Sequence, residues 1–452
     1  MVAQNSTYNY LQFVRFKSLS LWDVKKNRIF DSKETSDYDF VRLADVLTQV
    51  KRVEFLQPAK DYNLLGVKSY GLGVFHRETK KGNDIKAKYL WELKDGDLVY
   101  SRLGASSGSF GLINKDFNNY FVSNEFPAFT IDTKRVLPQY LNLVLTSKRF
   151  YEKIGDFNTG SALKRFHEDK FLNLEIPLPA LSIQKEIINN YTENVKAINK
   201  IEANIIDIEN KRKQFLEDYF GIYTNSVSIQ KGIKMIRYKN LDFKWGTDFN
   251  LNKNRWTVKP NFPLHKISQL CNVGSGGTPD TSNKSYYNCN IPWIKTTEVI
   301  NELIIDTEVK ITQTGLENSS AKIYPKGSLI IAMYGQGLTR GRTAKLGIDA
   351  STNQACAVLF NINSSVIDTD FLWIYLMNEY DRLRELASGN NQPNLNAGMI
   401  LDYKVQVPVL SEQNKITDYY FKEKDKIISL KKQAEDLRSH LEITLTNSIF
   451  NR

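Results

Sequence analysis

Four histidines (His76, His167, His265 and His440) and three cysteines (Cys271, Cys289 and Cys356) are the side chains best suited to metal binding or covalent catalysis. Neither set is arranged for it. No two histidines stand four residues apart, and the cysteine spacings match neither a zinc cluster nor a disulfide framework, which leaves free thiols of a reducing compartment. Gly71-x-Gly73 lacks the rest of a dinucleotide fingerprint, and no GxxxxGK[ST] loop is present to hold a nucleotide. An Asn- or Asp-Pro-Pro-aromatic run for base methylation is also missing. Asp280, Glu308 and Lys310 can be drawn as a metal-dependent nuclease set, but they have no counterpart in the first half of the chain. The residues predict a chain with no catalytic centre, metal site or cofactor of its own.

Chemistry of another kind is better supplied. Lys68 and Tyr70 lie in Val67-Lys-Ser-Tyr-Gly-Leu-Gly73, which leads on to Arg77, Lys80 and Lys81. A second cluster runs from Arg102 through Gly104 to Ser106, Ser107 and Gly108. In the second half, Ser275, Gly276 and Thr278 form one cluster, Lys295 follows Ile291-Pro-Trp-Ile294, and Gln336, Thr339, Arg340 and Arg342 share a glycine-rich run. Glycine lets a backbone approach a phosphate, and Ser or Thr hydroxyls donate to it. Arg and Gln carry the donor and acceptor geometry that reads guanine and adenine edges. Any one of these residues also fits an ordinary turn or a solvated surface. What singles the clusters out is their recurrence after equivalent landmarks.

Those landmarks come from an internal duplication. Arg15-Phe-Lys-Ser-Leu19 is echoed by Arg237-Tyr-Lys-Asn-Leu241, and Gly96-Asp-Leu-Val99 by Gly327-Ser-Leu-Ile330. Ser123-Asn124 returns as Thr352-Asn353, and Tyr140-Leu141 as Phe371-Leu372. Ile176-Pro-Leu-Pro179 and Val405-Gln-Val-Pro408 each lead into a Ser-x-Gln-x-x-Ile segment, at Ser182 and Ser411. The offset drifts through the first ~160 residues of each repeat, as loop insertions make it do. It then locks at 229 through the last ~40.

The locked segment reads as a long helix. Ile187, Tyr191, Ile198, Ile201, Ile205, Ile208, Phe215 and Tyr219 fall on alternating three- and four-residue steps. The matching positions are Ile416, Tyr420, Ile427, Leu430, Ala434, Leu437, Thr444 and Ser448, so both copies keep one apolar seam in heptad register. Ser182 and Ser411 stand where N-caps belong. The second seam loses its apolar character at Thr444 and Ser448, which predicts a frayed end. In the preceding modules, Asp97–Tyr100 and Ser328–Ala332 read as buried strands, and Leu137–Ser147 and Asp370–Leu386 as helices. The fold class is α+β: two mixed α/β domains separated by two long antiparallel coiled-coil helices, in a pseudo-twofold repeat. Boundaries follow at 1–177, 178–222, a linker at 223–236, 237–407 and 408–452.

Across its 452 residues the chain carries 41 % apolar and 25 % charged residues and a net charge of +11. That profile suits a protein that folds in water and meets a polyanion. No run approaches the ~20 apolar residues of a membrane span, and Met1–Tyr10 has no signal-peptide pattern. A cytoplasmic location is expected.

Along nearly its whole length the chain resembles the specificity subunits of type I restriction-modification systems, the HsdS family. Leu65-Gly-Val67 with Tyr70-Gly71 and Gly73-Val-Phe75, Leu93–Arg102 and Ser123-Asn-Glu-Phe126 are similar to one form of that family's target recognition domain. Gly276-Gly-Thr-Pro279, Ile291–Ile294, Gly335-Gln-Gly337, Thr352-Asn-Gln-Ala355 and the strand endings before Gln184 and Gln413 are similar to another. The resemblance implies a subunit that binds a bipartite, asymmetric double-stranded DNA target, one half-site per domain, with the helices setting the spacer. It implies docking of two methyltransferase subunits, restriction subunits in the full complex, and S-adenosylmethionine, ATP and Mg on those partners. A standalone bipartite DNA-binding protein is the alternative.

Overall fold

The computed structural model describes residues 38–156, 165–224, 256–335, 338–386 and 394–450. The repeated landmarks at Arg15–Leu19 and Arg237–Leu241 lie outside them. Two compact units divide the chain: residues 1–201 with 433–452, and residues 202–432. Each unit therefore holds one mixed module and a share of both long helices.

In the first unit the core sheet has the order β2-β10-β7-β8, formed by Leu47–Val50, Ala128–Ile131, Leu98–Tyr100 and Phe110–Leu112. Leu98, Val99 and Tyr100 are fully buried, because this central strand is covered on both faces. On one face Tyr100 meets Phe171 at 4.6 Å between ring centroids, with Phe110 and Phe129 beside them. Helices α1 (Pro138–Thr146), α2 (Lys148–Asp156) and α3 (Glu168–Leu172) complete that core. A second sheet runs β3-β6-β9-β4-β5, from Val53–Phe55, Tyr89–Glu92, Phe121–Val122, Asp61–Val67 and Val74–Lys81. The module's first strand, β1 (Phe40–Arg42), pairs with β11 (Glu175–Pro177), which leads directly into α4 (Leu181–Phe220).

The second unit repeats this plan. Its core sheet runs β15-β22-β19-β20, from Asn272–Ser275, Cys356–Phe360, Leu329–Ala332 and Thr343–Leu346, with β17 (Leu303–Ile304) added at the edge. The smaller sheet places β16 (Tyr287–Ile294) between β18 (Val309–Ile311) and β21 (Ser351–Thr352). The parallel β16–β21 pair corresponds to the parallel β4–β9 pair of the first unit. The two extra strands β3 and β6 of the first unit have no equivalent among the described residues, and this is one source of the drifting offset. Strand β14 (Leu264–Lys266) pairs with β23 (Lys404–Gln406), which leads into α10 (Leu410–Phe450) as β11 leads into α4. The segment expected as a linker begins with β12 (Ile222–Thr224), which pairs with β13 (Trp256–Val258). Short helices α5 (Ile267–Leu270) and α6 (Gln313–Glu317) are joined by α7 (Thr369–Asn378), α8 (Tyr380–Leu386) and α9 (Ala397–Leu401). The single helix expected over 370–386 is therefore two. The break falls at Glu379, a fully buried carboxylate bonded to the Tyr403 hydroxyl and paired with Arg382 at 2.5 Å.

Helices α4 and α10 are 40 and 41 residues long, about 60 Å each at 1.5 Å per residue. In each unit the end of one meets the start of the other, so the segments run antiparallel. Leu216 and Phe220 share a core with Ile416 in the second unit, and Ile187 shares one with Ile449 and Phe450 in the first. In the second unit the Phe215 and Tyr419 rings meet at a tilt, 4.3 Å between centroids, and Glu209 pairs with Lys431 at 3.5 Å.

Ser182 and Ser411 are not caps. Both helices begin one residue earlier, on the carbonyls of Ala180 and Val409, and both serines are exposed in the first turn. The expected fraying of α10 is also corrected. Ile449 and Phe450 are 0 % and 1 % exposed, because they leave the helix seam and pack on the first module, with the Arg149 guanidinium 4.9 Å over the Phe450 ring.

Candidate nucleic-acid interface

In the first module the fold brings two of the sequence clusters into one surface. The tip between β4 and β5 is laced to the loop after β7. Tyr70 N–H donates to the Ser107 carbonyl at 2.6 Å, Gly71 N–H to the Gly108 carbonyl at 3.0 Å, and the Ser69 and Ser109 hydroxyls meet at 3.1 Å. Ser106, Ser107 and Tyr70 thus share one surface. Tyr70 adopts φ 58°, a left-handed conformation that is costly for an aromatic residue, and its side chain is 70 % exposed. Lys68, exposed beside it, places its ammonium 5.5 Å over the Phe75 ring.

The other basic residues of this half are not gathered there. Arg77, Lys80 and Lys81 line β5, the edge of the second sheet, with Arg77 as the extra residue of a β-bulge. Arg77 and Lys80 both pair with Glu78 at 3.0 Å, Lys80 first and Arg77 second holding that carboxyl below its usual range. Charged, bulged edge strands resist pairing with another chain, which accounts for them without a ligand. Arg102 is a correction. Its side chain is 14 % exposed and donates to the Glu168 carboxylate of α3 at 2.5 Å, while its backbone carbonyl accepts from Phe166. That guanidinium holds α3 against the sheet.

The second module joins the motifs that its sequence scatters. Gly277 N–H donates to the Thr352 carbonyl at 2.9 Å, the Trp293 indole to the Gly277 carbonyl at 2.9 Å, and Thr278 hydrogen-bonds Gln354. A Cβ on Gly276 would stand 2.0 Å from the Thr352 carbonyl oxygen, so this glycine is needed for close packing rather than for approach to a ligand. Ser275 remains exposed at the end of β15, its carbonyl accepting from the Tyr324 hydroxyl at 2.8 Å. Lys295 follows β16 as Lys68 follows β4, and its ammonium pairs with Glu308 at 2.8 Å. Gln336 lies outside the described residues. Thr339, Arg340 and Arg342 sit on the loop between β19 and β20, the equivalent of the loop after β7. Two side chains of α8 hold this loop: the Tyr380 hydroxyl donates to the Leu338 carbonyl at 2.6 Å and Arg384 to the Arg340 carbonyl at 3.4 Å. Burial first, and the Arg384 charge second, lower the Arg340 guanidinium from its ordinary value.

The nuclease set does not assemble. Asp280 accepts from Ser282, Glu308 pairs with Lys295, and Lys310 pairs with Asp306 at 2.9 Å, three separate local partnerships. Among the described residues no group of three or more His, Cys, Asp or Glu is placed to hold a metal ion, and no helix is long and apolar enough to cross a membrane.

Along the helices, Ile187, Ile198, Ile205, Ile416, Ile427 and Ala434 are between 1 % and 7 % exposed. Tyr191, Ile201, Ile208, Tyr420, Leu430 and Leu437 are half-buried, with Arg212 stacked 4.6 Å over Tyr420. The residues whose importance the heptad pattern did not convey are Gln184 and Gln413, both 0 % exposed. Gln184 Nε2 donates to the carbonyls of Pro179 (2.8 Å) and Arg135 (3.0 Å), and its Oε1 accepts from Leu137 N–H at 2.8 Å. Gln413 donates to Pro408 (2.8 Å) and Val366 (3.0 Å) and accepts from Asp368 N–H at 2.7 Å. Their repetition 229 positions apart was the available signal.

A module built twice on one topology, with hydroxyl-, glycine- and arginine-bearing loops at matching corners and a helix leaving each copy, is the framework of a two-headed binding protein. The family described as type I restriction modification DNA specificity domain matches residues 20–218 and 261–437, and the chain belongs to that family. It is 23 % identical to the HindI type I restriction enzyme specificity subunit of Haemophilus influenzae, over 97 % of this chain and 95 % of that one. The MjaIX specificity subunit of Methanocaldococcus jannaschii is 26 % identical over 46 % of this chain and 48 % of that one. A structure from work on complex assembly and conformational transition of a type I restriction-modification system shares the fold, with a TM-score of 0.62 at 14 % identity over 92 % of this chain and 98 % of that one.

Proposed function

We propose that this chain is the non-catalytic specificity subunit of a type I restriction-modification complex acting on DNA in the cytoplasm. Each module reads one half of a split, asymmetric double-stranded target. The surface around Lys68, Tyr70, Ser106 and Ser107 serves one half-site, and that around Ser275, Lys295, Thr339, Arg340 and Arg342 the other. The observation that carries this reading is the matched pair of loops, after β7 and after β19, on topologically equivalent sheets. The helices set the distance between the readers and carry two methyltransferase subunits, with restriction subunits joining the full complex. S-adenosylmethionine, ATP and Mg belong to those partners.

Mapping methylated adenines in cells that carry this chain with its methyltransferase partner tests the division of labour. Tyr70→Ala relaxes one half-site only, and Arg342→Ala the other only. A lost bidentate base contact costs about 1–3 kcal/mol of discrimination, whereas a lost phosphate contact weakens all sequences alike. A single substitution that changed preference in both halves would overturn the two-reader assignment.

A further inference from the structure

The two buried glutamines do the same thing in both units. Each sits in the first turn of a long helix and reaches back to the carbonyl of the proline just before it, Pro179 or Pro408. Each also ties down the segment that opens the module's own principal helix. Gln184 accepts from Leu137, the residue before α1, and Gln413 accepts from Asp368, the residue before α7. The remaining amide proton of each goes to a carbonyl two residues further upstream, at Arg135 or Val366. One amide group thereby satisfies three main-chain groups belonging to two helix starts and the bend between strand and helix. Three bonds of fixed direction define an orientation; an apolar contact of equal area would not.

We infer that Gln184 and Gln413 are positioning residues that fix the angle at which each module meets its long helix, and through that angle the spacing at which the two half-sites are read. This rests on the split-target reading. The lever shows why the angle matters. From Leu181 to Ile201, the share of α4 in the first unit, is about 30 Å. A tilt of roughly 6° at the elbow moves the far end by about 3 Å, close to the rise of one base pair. A spacer held to a single length therefore needs an elbow fixed to within a few degrees, and directional bonds add to what the packing of Ile187 on the module supplies.

The test uses the chain in complex with its methyltransferase partner and a library of targets whose half-sites are separated by the native spacer and by one or two base pairs more or less. Gln184→Leu and Gln413→Leu remove all three bonds at nearly constant volume; Gln184→Glu and Gln413→Glu keep the acceptor and, as a buried neutral acid facing two carbonyl oxygens, retain one donated bond and lose the other. The expected result is unchanged half-site sequences with methylation spreading to flanking spacers, the flanking-to-native ratio rising about tenfold, equivalent to a 1.4 kcal/mol change, for each leucine variant and less for each glutamate variant. A lower melting temperature with the wild-type spacer ratio would reduce the glutamines to structural residues and overturn the inference. Failure of all four variants to fold would do the same. Loss of half-site preference at the native spacer would place their effect in reading rather than spacing, which also overturns it. A wild-type complex that methylates an unsplit target would instead refute the function on which the inference rests.

Discussion

Lengthening both helices together is the perturbation that separates a ruler from a scaffold. The two units divide between Ile201 and Glu202 in α4 and between Lys432 and Gln433 in α10. Four residues inserted after Asn204, matched by four after Lys432, add about 6 Å to each helix and turn its far end by about 40° beyond whole turns. Two base pairs of B-DNA add about 7 Å and turn by roughly 70°. Protein and duplex then disagree by about 1 Å and 30°, which small changes in the DNA absorb. A seven-residue insertion adds about 10 Å with a residual rotation of only about −20°, whereas three base pairs turn by roughly 105°, a far worse match. The seam also constrains the design, because Ile205 and Ala434 are buried near the junction and must each keep an apolar partner. Both inserts should therefore carry one apolar residue on the seam. Sequencing of methylated sites in cells expressing the paired variant should show the original half-sites with a spacer two base pairs longer. The native spacer in a folded, active complex would refute the ruler, while leaving the duplication and the two-reader assignment untouched.

Three further outcomes follow from the same geometry. Arg102→Ala should destabilise the first module by about 1–3 kcal/mol with no change in half-site sequence, because it leaves the half-buried Glu168 carboxylate with only the Gln49 amide as a side-chain partner. Burial pushes the Glu168 carboxyl up, but the bond and charge of Arg102, the helix backbone and the Gln49 amide together outweigh it, and the net value lies below the usual range. That contribution is complete above the unfolded carboxyl range and lost as the pH falls through the lowered value, so the urea midpoints of wild type and variant should converge on acidification. Phe450→Ala should cost about 3–5 kcal/mol in denaturant unfolding, since the ring is buried in the first module's core; a surface-like loss below ~0.5 kcal/mol would contradict the docked C-terminal turn. In thiol labelling of the native chain only Cys289 should react, because it is exposed while burial pushes the Cys271 and Cys356 thiols up to about 12. Labelling of Cys271 or Cys356 before unfolding would count against the packing of the cluster that holds it.

Periodicity and repetition were written into the chain. Apolar residues from Ile187 to Ile208 and from Ile416 to Leu437 mark a helical seam because each position must meet the same kind of neighbour one turn later, a constraint that acts locally and survives in linear sequence. The duplication was legible for a similar reason. Two copies of one topology need the same small and apolar residues at the same turns, as at Gly96 and Gly327. What surrounds each reading loop is not local, and only the tertiary structure decided it. Arg102 looked like a loop cation until Glu168, 66 positions later, was found to hold it. Gly276 looked like a place for a ligand until the Thr352 carbonyl filled that space. The sequence alone leaves Phe450 at a dissolving helix end, because its partners, Arg149 among them, are some 300 residues away. Gln184 and Gln413 stood in plain view in both repeats. Their role depends on where the carbonyls of Arg135 and Val366 lie in space, and an amide's direction of bonding leaves no trace in a pattern of apolar and polar residues.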